Sequence, residues 1–359
     1  MPDRPRVLIY RPGSLGDTLV SLPAIAEIRR RYPAHGLTLL TESPAEGTTR
    51  VSPWIILKET GWFDAVHFYV VRPASAADRW RNVSLAMRLR QAGYDEVFSL
   101  APPRTERQLR VDACVFRGVV GAGRYHAARR AAWPPAIVEA HEHEGLRLLR
   151  IVDPAASGAS LRGFRLAVPD TDLAIGRGVL SELGVGPDQL LVGVAPGSGR
   201  TSTAWPADRF AAVGKALLHQ FKNIVLLAIG GSGERRLCEE LCAAWGPRSH
   251  NLAGRLSVFG SASVLSRCAT FIGNDSGPTH LAAMVGIPCV AIFSARNAPG
   301  QWEPLGEHHV VIEDRPECAG CMLDDCLHEQ KKCLTRIETG RVVREAISLI
   351  DSRRACLAH

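Results

Sequence analysis

The sequence predicts an α/β protein built from two similar halves, and three observations carry that reading. Short apolar runs bounded by Gly and Pro recur along the chain, as buried parallel strands do. Segments with apolar residues at helical spacing separate them, the alternation of βαβ units. Finally, Val7-Leu8-Ile9-Tyr10-Arg11-Pro12-Gly13-Ser14, which precedes Leu22-Pro23 and a helix, is echoed by Leu191-Val192-Gly193-Val194-Ala195-Pro196-Gly197-Ser198, which precedes Trp205-Pro206 and a helix. In such sheets ligands sit beyond the carboxyl ends of the strands, and two halves imply a site in a cleft between them.

The first strand is Val7 to Tyr10, followed by the turn Arg11 to Asp17. Leu19, Leu22, Ile25 and Ile28 give a helix from Thr18 to Tyr32, with Arg29-Arg30-Arg31 suited to its C-terminal dipole end. Further strands are predicted at 37–41, 65–69 and 96–100, and helices near 75–92, 106–117 and 139–152. The Ala, Ser and Gly of 154–163 read as a linker. Beyond it, strands are predicted at 190–194, 224–229, 270–272 and 289–293, with helices at 171–183, 207–220, 234–244 and 279–285. Val342, Val343, Ala346, Ile347 and Ile350 make the segment 341–350 amphipathic. The expected domains are 1–160, 161–335, and a C-terminal helix within 336–359 that crosses back to the first.

Composition fits this picture. The chain has 359 residues, room for two domains at roughly 150 residues each. Its 46% hydrophobic and 22% charged residues exclude an intrinsically disordered chain. No apolar run reaches the roughly 18 residues of a membrane span, and no h-region follows the charged N-terminus, so a cytoplasmic protein is expected. The net charge of +7 calls for an acidic partner. Arg104, Arg107, Arg110, Arg124, Arg129 and Arg130 concentrate it in the first half. They read either as solvated surface or as contacts to an anionic acceptor or the inner membrane face, with the Trp133-Pro134-Pro135 loop nearby. No aromatic stacking platform or nucleic-acid motif accompanies them, so a nucleic-acid partner is not expected.

Four constellations carry chemistry. Gly13, Ser14, Gly16 and Asp17 form a Gly-containing turn at a helix N-terminus, where amides favour anions. It is neither a dinucleotide fingerprint nor a P-loop. Asp17 reads as a helix-terminal acid or as a general base. Gly273-Asn274-Asp275-Ser276-Gly277-Pro278-Thr279-His280 follows an apolar strand and opens a helix, a ready phosphate site. Its plain alternative is an N-cap beside a buried, hydrogen-bonded His. Glu234 follows a strand and a Gly-rich turn, as a ribose-binding acid or as an ordinary helix-terminal Glu. Last, Cys318, Cys321, Cys326 and Cys333 lie within sixteen residues, with His328 among them. Soft thiolates suit a structural Fe or Zn, although the spacing is not that of a zinc ribbon, and free thiols are the alternative. Five other cysteines, Cys114, Cys238, Cys242, Cys268 and Cys289, read as core or near-core residues.

Val7-Leu8-Ile9 through Gly16-Asp17 and Leu22-Pro23-Ala24 resemble the N-terminal signature of the ADP-heptose:lipopolysaccharide heptosyltransferases, glycosyltransferase family 9. Ala195-Pro196-Gly197-Ser198-Gly199, Trp205-Pro206 and Arg209-Phe210-Ala211 resemble its mid-chain segment. Asn251-Leu252-Ala253-Gly254, Gly273 to Pro278, His280-Leu281-Ala282-Ala283, Gly286-Ile287-Pro288 and Trp302-Glu303-Pro304-Leu305-Gly306 resemble its C-terminal signature. The resemblance implies a GT-B fold of two facing Rossmann-like domains and inverting, metal-independent heptose transfer from ADP-heptose to a glycolipid or other glycan acceptor. Asp17 would be the general base. Ser198, Arg200, Ser202, Thr203, Glu234, Asn274, Asp275, Ser276, Gly277 and His280 would bind the donor. Autotransporter heptosyltransferases, a related branch, hold structural iron on a comparable Cys cluster. One departure stands out: family members commonly carry Lys where this chain has Thr203, which supplies a hydroxyl and no charge. The alternatives left open are another nucleotide sugar or a protein or small-molecule acceptor, a nicotinamide-dependent enzyme, and a non-catalytic nucleotide-binding protein.

Overall fold

The computed structural model describes residues 6–43, 51–128, 142–186, 188–326 and 329–357. Arg129, Arg130, the Trp133-Pro134-Pro135 loop and His328, singled out in the sequence, lie outside the described residues. The described residues fall into two compact units, one made of those within 6–128 and 144–161, the other of those within 142–143 and 162–357.

The first unit runs β1 (Arg6–Tyr10), α1 (Leu15–Arg31), β2 (Gly36–Glu42), α2 (Pro53–Leu57), β3 (Ala65–Tyr69), α3 (Ala76–Ala92), β4 (Glu96–Ser99), α4 (Glu106–Ala113), β5 (Arg124–His126) and α5 (Glu144–Val152). Its five strands lie in the order β3-β2-β1-β4-β5, every pair parallel. Val7, Leu8 and Ile9 of β1 are fully buried, as a strand covered on both faces requires. Leu19, Leu22, Ile25 and Ile28 of α1 are buried at the predicted spacing. Leu85 and Leu89 of α3 join Leu8, Tyr10, Val97 and Phe116 in one core cluster. A turn of π-helix, Cys114–Val119, continues α4 and leaves Cys114 exposed, which corrects the expectation of a near-core thiol.

The second unit runs α6 (Asp170–Glu182), β6 (Leu190–Ala195), α7 (Ala207–Gln220), β7 (Ile224–Ala228), α8 (Arg235–Trp245), β8 (Ser249–Asn251), α9 (Val258–Leu265), β9 (Cys268–Asn274), α10 (Gly277–Met284), β10 (Cys289–Ser294), β11 (Val310–Asp314), α11 (Lys332–Thr335) and α12 (Thr339–Leu357). Six parallel strands lie in the order β11-β10-β9-β6-β7-β8. The strand order reverses between β6 and β9, the place where doubly wound sheets open a crevice for a ligand. Val342, Ala346 and Ile350 of α12 are fully buried in the second unit's core with Trp205, Phe210 and Leu217. α12 packs on α7 and β9 of the second unit, because its stripe completes that core.

Among the described residues no helix is long and apolar enough to cross a membrane. Close approach fixes two glycines. A Cβ on Gly193 would lie 2.8 Å from the Phe271 ring, and one on Gly214 of α7 would lie 2.2 Å from Trp245 Nε1. Gly214→Ala is therefore expected to cost about 1–3 kcal/mol by forcing α7 from α8. Gly178→Ala in α6, where nothing lies within 4 Å, is expected to gain about 0.5–1 kcal/mol through helix propensity. Urea denaturation of both variants measures the contrast; equal stabilities would refute it.

Candidate active site

In the first unit the chain leaves β1 through Arg11 and Gly13 and enters α1 at Ser14. The Asp17 carboxylate Oδ2 accepts hydrogen bonds from the Ser14 amide and from the Ser14 hydroxyl, each at 2.7 Å. These two bonds seat Asp17 in the first turn, partly exposed. Gly13 has φ +126°, and a Cβ there would lie 2.7 Å from the Asp17 Cβ, so the turn closes on the acid only with glycine. Gly16 is the second residue of α1.

Arg11 is a residue the sequence reading passed over. It is fully buried, its Nη1 donates to the Leu100 carbonyl, and its Nε and Nη2 have no hydrogen-bond partner among the described residues. Burial pulls its pKa down, and Asp17 and then Glu144 are the main charges that oppose the shift. An Arg between an apolar strand and a Gly turn was the available signal. The expected surface arginines are mostly paired: Arg110 with Glu106 at 3.3 Å, Arg104 with Asp112 at 3.5 Å, and Arg124 with Glu96.

In the second unit, loops at the carboxyl ends of β6, β7 and β9 converge. Asn274 ends β9 with its side chain fully buried. Its Oδ1 accepts from the Trp205 amide at 3.0 Å, and its Nδ2 donates to the carbonyls of Pro196 at 2.8 Å and Gly197 at 3.3 Å. The Thr279 hydroxyl donates to the Asn274 carbonyl at 2.6 Å. Asn274 thus joins the loops after β6 and β9 rather than facing an open site. Asp275, next along the chain, accepts from Asn297 Nδ2 at 3.4 Å. Ser276 caps α10 in extended backbone conformation, and its hydroxyl oxygen is buried without a hydrogen-bond partner among the described residues. Gly277 opens the helix, and His280 is buried one turn on.

Glu234 comes to the same place from β7. Its Oε2 accepts from the Gly231 amide at 2.7 Å. A Cβ on Gly197 would lie 1.7 Å from its Oε1, so the β6 loop passes directly over the carboxylate. Burial raises the Glu234 pKa, and the Gly231 amide partly offsets that.

The segment 198–203 divides in two. The Ser198 and Thr203 hydroxyls lie 2.5 Å apart, and Thr203 is only 2% exposed. Ser202 is also buried and donates to the Leu323 carbonyl at 2.7 Å. The hydroxyls of Ser202 and Thr203 are therefore committed within the protein. Arg200 is exposed and pairs with Asp324 at 2.6 Å.

The four clustered cysteines have diverging environments. Cys321 is exposed, the Cys326 sulfur accepts from the Lys331 amide at 3.3 Å, and Cys333 on α11 packs on the unit's core. Among the described residues no three His, Cys, Asp or Glu side chains are placed to hold a metal ion.

Residues 179–332 match the family model of glycosyltransferase family 9 (heptosyltransferase). The chain is 28% identical over 170 residues to lipooligosaccharide heptosyltransferase 2 of Campylobacter jejuni, an alignment of 45% of this chain that spans only about half, 51%, of that relative. It is 23% identical to lipopolysaccharide heptosyltransferase 1 of Pseudomonas aeruginosa, over 96% of this chain and 98% of that protein. Its fold is similar to that of a glycosyltransferase family 9 protein from Veillonella parvula, with TM-score 0.74, 18% identity and 98% of each chain covered. It is also similar to the iron-containing dodecameric glycosyltransferase TibC of Escherichia coli, with TM-score 0.54, 14% identity, and 98% of this chain and 77% of that one covered. The α/β fold with its two parallel sheets matches that of solved heptosyltransferase structures, and the match to the family model spans residues 179–332, less than half of the chain.

Proposed function

We propose that this protein is an inverting glycosyltransferase that transfers heptose from ADP-heptose to the inner core of lipopolysaccharide or a related glycan. The observation that carries the reading is the convergence of Ser198, Glu234 and the α10 N-terminus at the carboxyl ends of β6, β7 and β9, inside the family-matched segment. A helix N-terminus with amides and a spare hydroxyl suits a diphosphate. A carboxylate beside a Gly-rich turn suits vicinal ribose hydroxyls.

Asp17 takes the proton from the acceptor hydroxyl. The acceptor oxygen then forms a bond to the anomeric carbon from the face opposite the diphosphate. The bond from that carbon to the diphosphate oxygen breaks, and its electron pair leaves with ADP. Negative charge grows on the leaving diphosphate. The amides of Ser276 and Gly277, His280 and the Arg200 guanidinium stabilise it. Asp275 orients the loop or meets the sugar. A structural Fe or Zn on Cys318, Cys321, Cys326 and Cys333 has the support of the donor chemistry, and would require the loop to draw its thiols together. An anionic glycolipid acceptor at a membrane face has support from α3. Trp80, Val83 and Met87 are exposed there, on the side away from Leu85 and Leu89, with Arg79, Arg81, Arg88 and Arg90 on the same helix. Apolar and basic groups together suit an anionic lipid surface.

Three outcomes are expected. Asp17→Asn loses transfer by about a hundredfold or more while ADP binding stays within about twofold, in paired turnover and calorimetric assays; turnover like that of the unmodified protein would remove Asp17 as base. Calorimetric titration with ADP, UDP and NAD shows preference for ADP, and prior chelation leaves it unchanged; preference for UDP would retire the heptose donor and leave the fold. Glu234 accepts from two ribose hydroxyls best as a carboxylate, because protonation turns one of its oxygens into a donor, and burial raises its pKa above the ordinary value. ADP affinity therefore falls as pH drops through that raised value. Glu234→Gln flattens this profile, and an unchanged profile would remove Glu234 from the ribose.

A further inference from the structure

We propose that Arg296 and Asp324 are positioning residues that hold the donor loop 198–203 in its binding form, with residues 322–324 as a strap between Arg296 and the loop. The proposal rests on the donor reading above for its consequence, but not for its geometry.

Arg296 lies two residues past β10, at the same carboxyl edge as the candidate site, and is 8% exposed. Its guanidinium is divided among strap atoms. Nε donates to the Leu323 carbonyl at 2.9 Å, and Nη2 donates to the Met322 carbonyl at 2.8 Å and to Asp324 Oδ1 at 3.2 Å. The Met322 amide returns a bond to the Arg296 carbonyl at 3.2 Å. On the strap's other side stands the donor loop. The Leu323 carbonyl accepts from the Ser202 hydroxyl, the Asp324 carbonyl accepts from the Ser202 amide at 3.1 Å, and Asp324 Oδ1 accepts from Arg200 Nε at 2.6 Å. The Thr201 hydroxyl donates to Asp325 at 2.6 Å. Two acceptors, the Leu323 carbonyl and Asp324 Oδ1, are thus shared by Arg296 and the loop.

Met322 sits at φ +57°, in the left-handed region that a side chain disfavours. Bonds at the Leu323 carbonyl and at its own amide and carbonyl hold it there. The arrangement answers the missing cation at position 203. Thr203 is occupied with Ser198, so Arg200 is the loop's cation, and it is long and exposed. An exposed pair with Asp324 alone would fix it weakly. Asp324 becomes a firm anchor because a buried, multiply bonded guanidinium stands behind it. Arg296 also donates to Asn297, whose amide reaches Asp275, so the β9 loop is tied to the same group.

The test uses nucleotide-free protein first. In Arg296→Met, amide hydrogen exchange over residues 198–204 is expected to rise about tenfold or more, while exchange in β6, β7 and β9 stays unchanged. ADP then binds about tenfold more weakly. Arg296→Lys, which keeps the charge but not the fork, recovers part of both effects. Ser202→Ala removes the loop's end of the strap and moves both readouts the same way. The double variant with Arg296→Met is no worse than Arg296→Met alone, because both act through one connection. Unchanged exchange over 198–204 in a folded Arg296→Met overturns the proposal, as do additive effects in the double variant. If Arg296→Met does not fold, unchanged exchange in Ser202→Ala overturns it equally. Faster exchange in a protein whose unmodified form ignores ADP upholds the strap and refutes the donor reading instead.

Discussion

The side-chain amide of Asn274 sits at zero exposure between two loops and uses both of its ends there. One acceptor meets the Trp205 amide, and the donors meet the Pro196 and Gly197 carbonyls. An Asp of the same size would present acceptors to carbonyls, and a Leu would leave three backbone groups unpaired at about 1–3 kcal/mol each. The rest of the second unit's site follows from this junction. It sets where Gly197 passes over Glu234, where Trp205 enters the core edge-on to Phe210 at 5.0 Å between ring centroids, and where Ser276 starts α10. The adjacent pairing of β6 with β9 brings the two loops within reach of one side chain.

The first unit solves a different problem. Its fully buried Arg11 follows β1 directly, and a guanidinium in such a place needs anions nearby. Asp17 and Glu144 are the anions whose fields reach it most strongly, and Glu144 is itself buried and paired with Arg147 at 2.6 Å. The turn that carries Asp17 is therefore set by three demands at once: a helix cap on Ser14, a glycine at positive φ, and a buried cation close by. The acid's place in the first helical turn is compatible with both roles that the sequence left open.

Legibility in the sequence followed the reach of each interaction. The helix at 207–220 was readable to the residue because Phe210, Val213 and Leu217 recur at one face above a polar one. α9 was not, since Val258–Leu265 is apolar nearly all round and buried, which leaves no periodic contrast. β8 is Ser-His-Asn at the sheet edge, with no apolar run to mark it. The turns bearing Asp17, Glu234 and Ser276 were legible because local chemistry dictates them. Asn274's bonding to residues nearly eighty positions away was not, nor was Arg296's grip on 322–324. Thr203 was visible as a departure, but its bond to Ser198 depends on how the loop folds back. For the cysteines, spacing carried no information on direction, and Cys333 turns to the core while Cys321 faces outward.

The packing of α12 bears on how this protein is made. Val342, Ala346 and Ile350 fill the interior beside α7 and β9, yet they follow every strand of their sheet in the chain. A ribosome releases the first unit's elements, then all six strands of the second, before it delivers the helix that closes them over. Until then the β6–β9 layer carries an uncovered apolar side, and parallel pairing is slow to form by itself. The first unit can complete its interior while synthesis continues, whereas the second must wait for residues close to position 350. Between those two moments the nascent chain exposes its greatest hazard of wrong association, and it is there that a chaperone would find it.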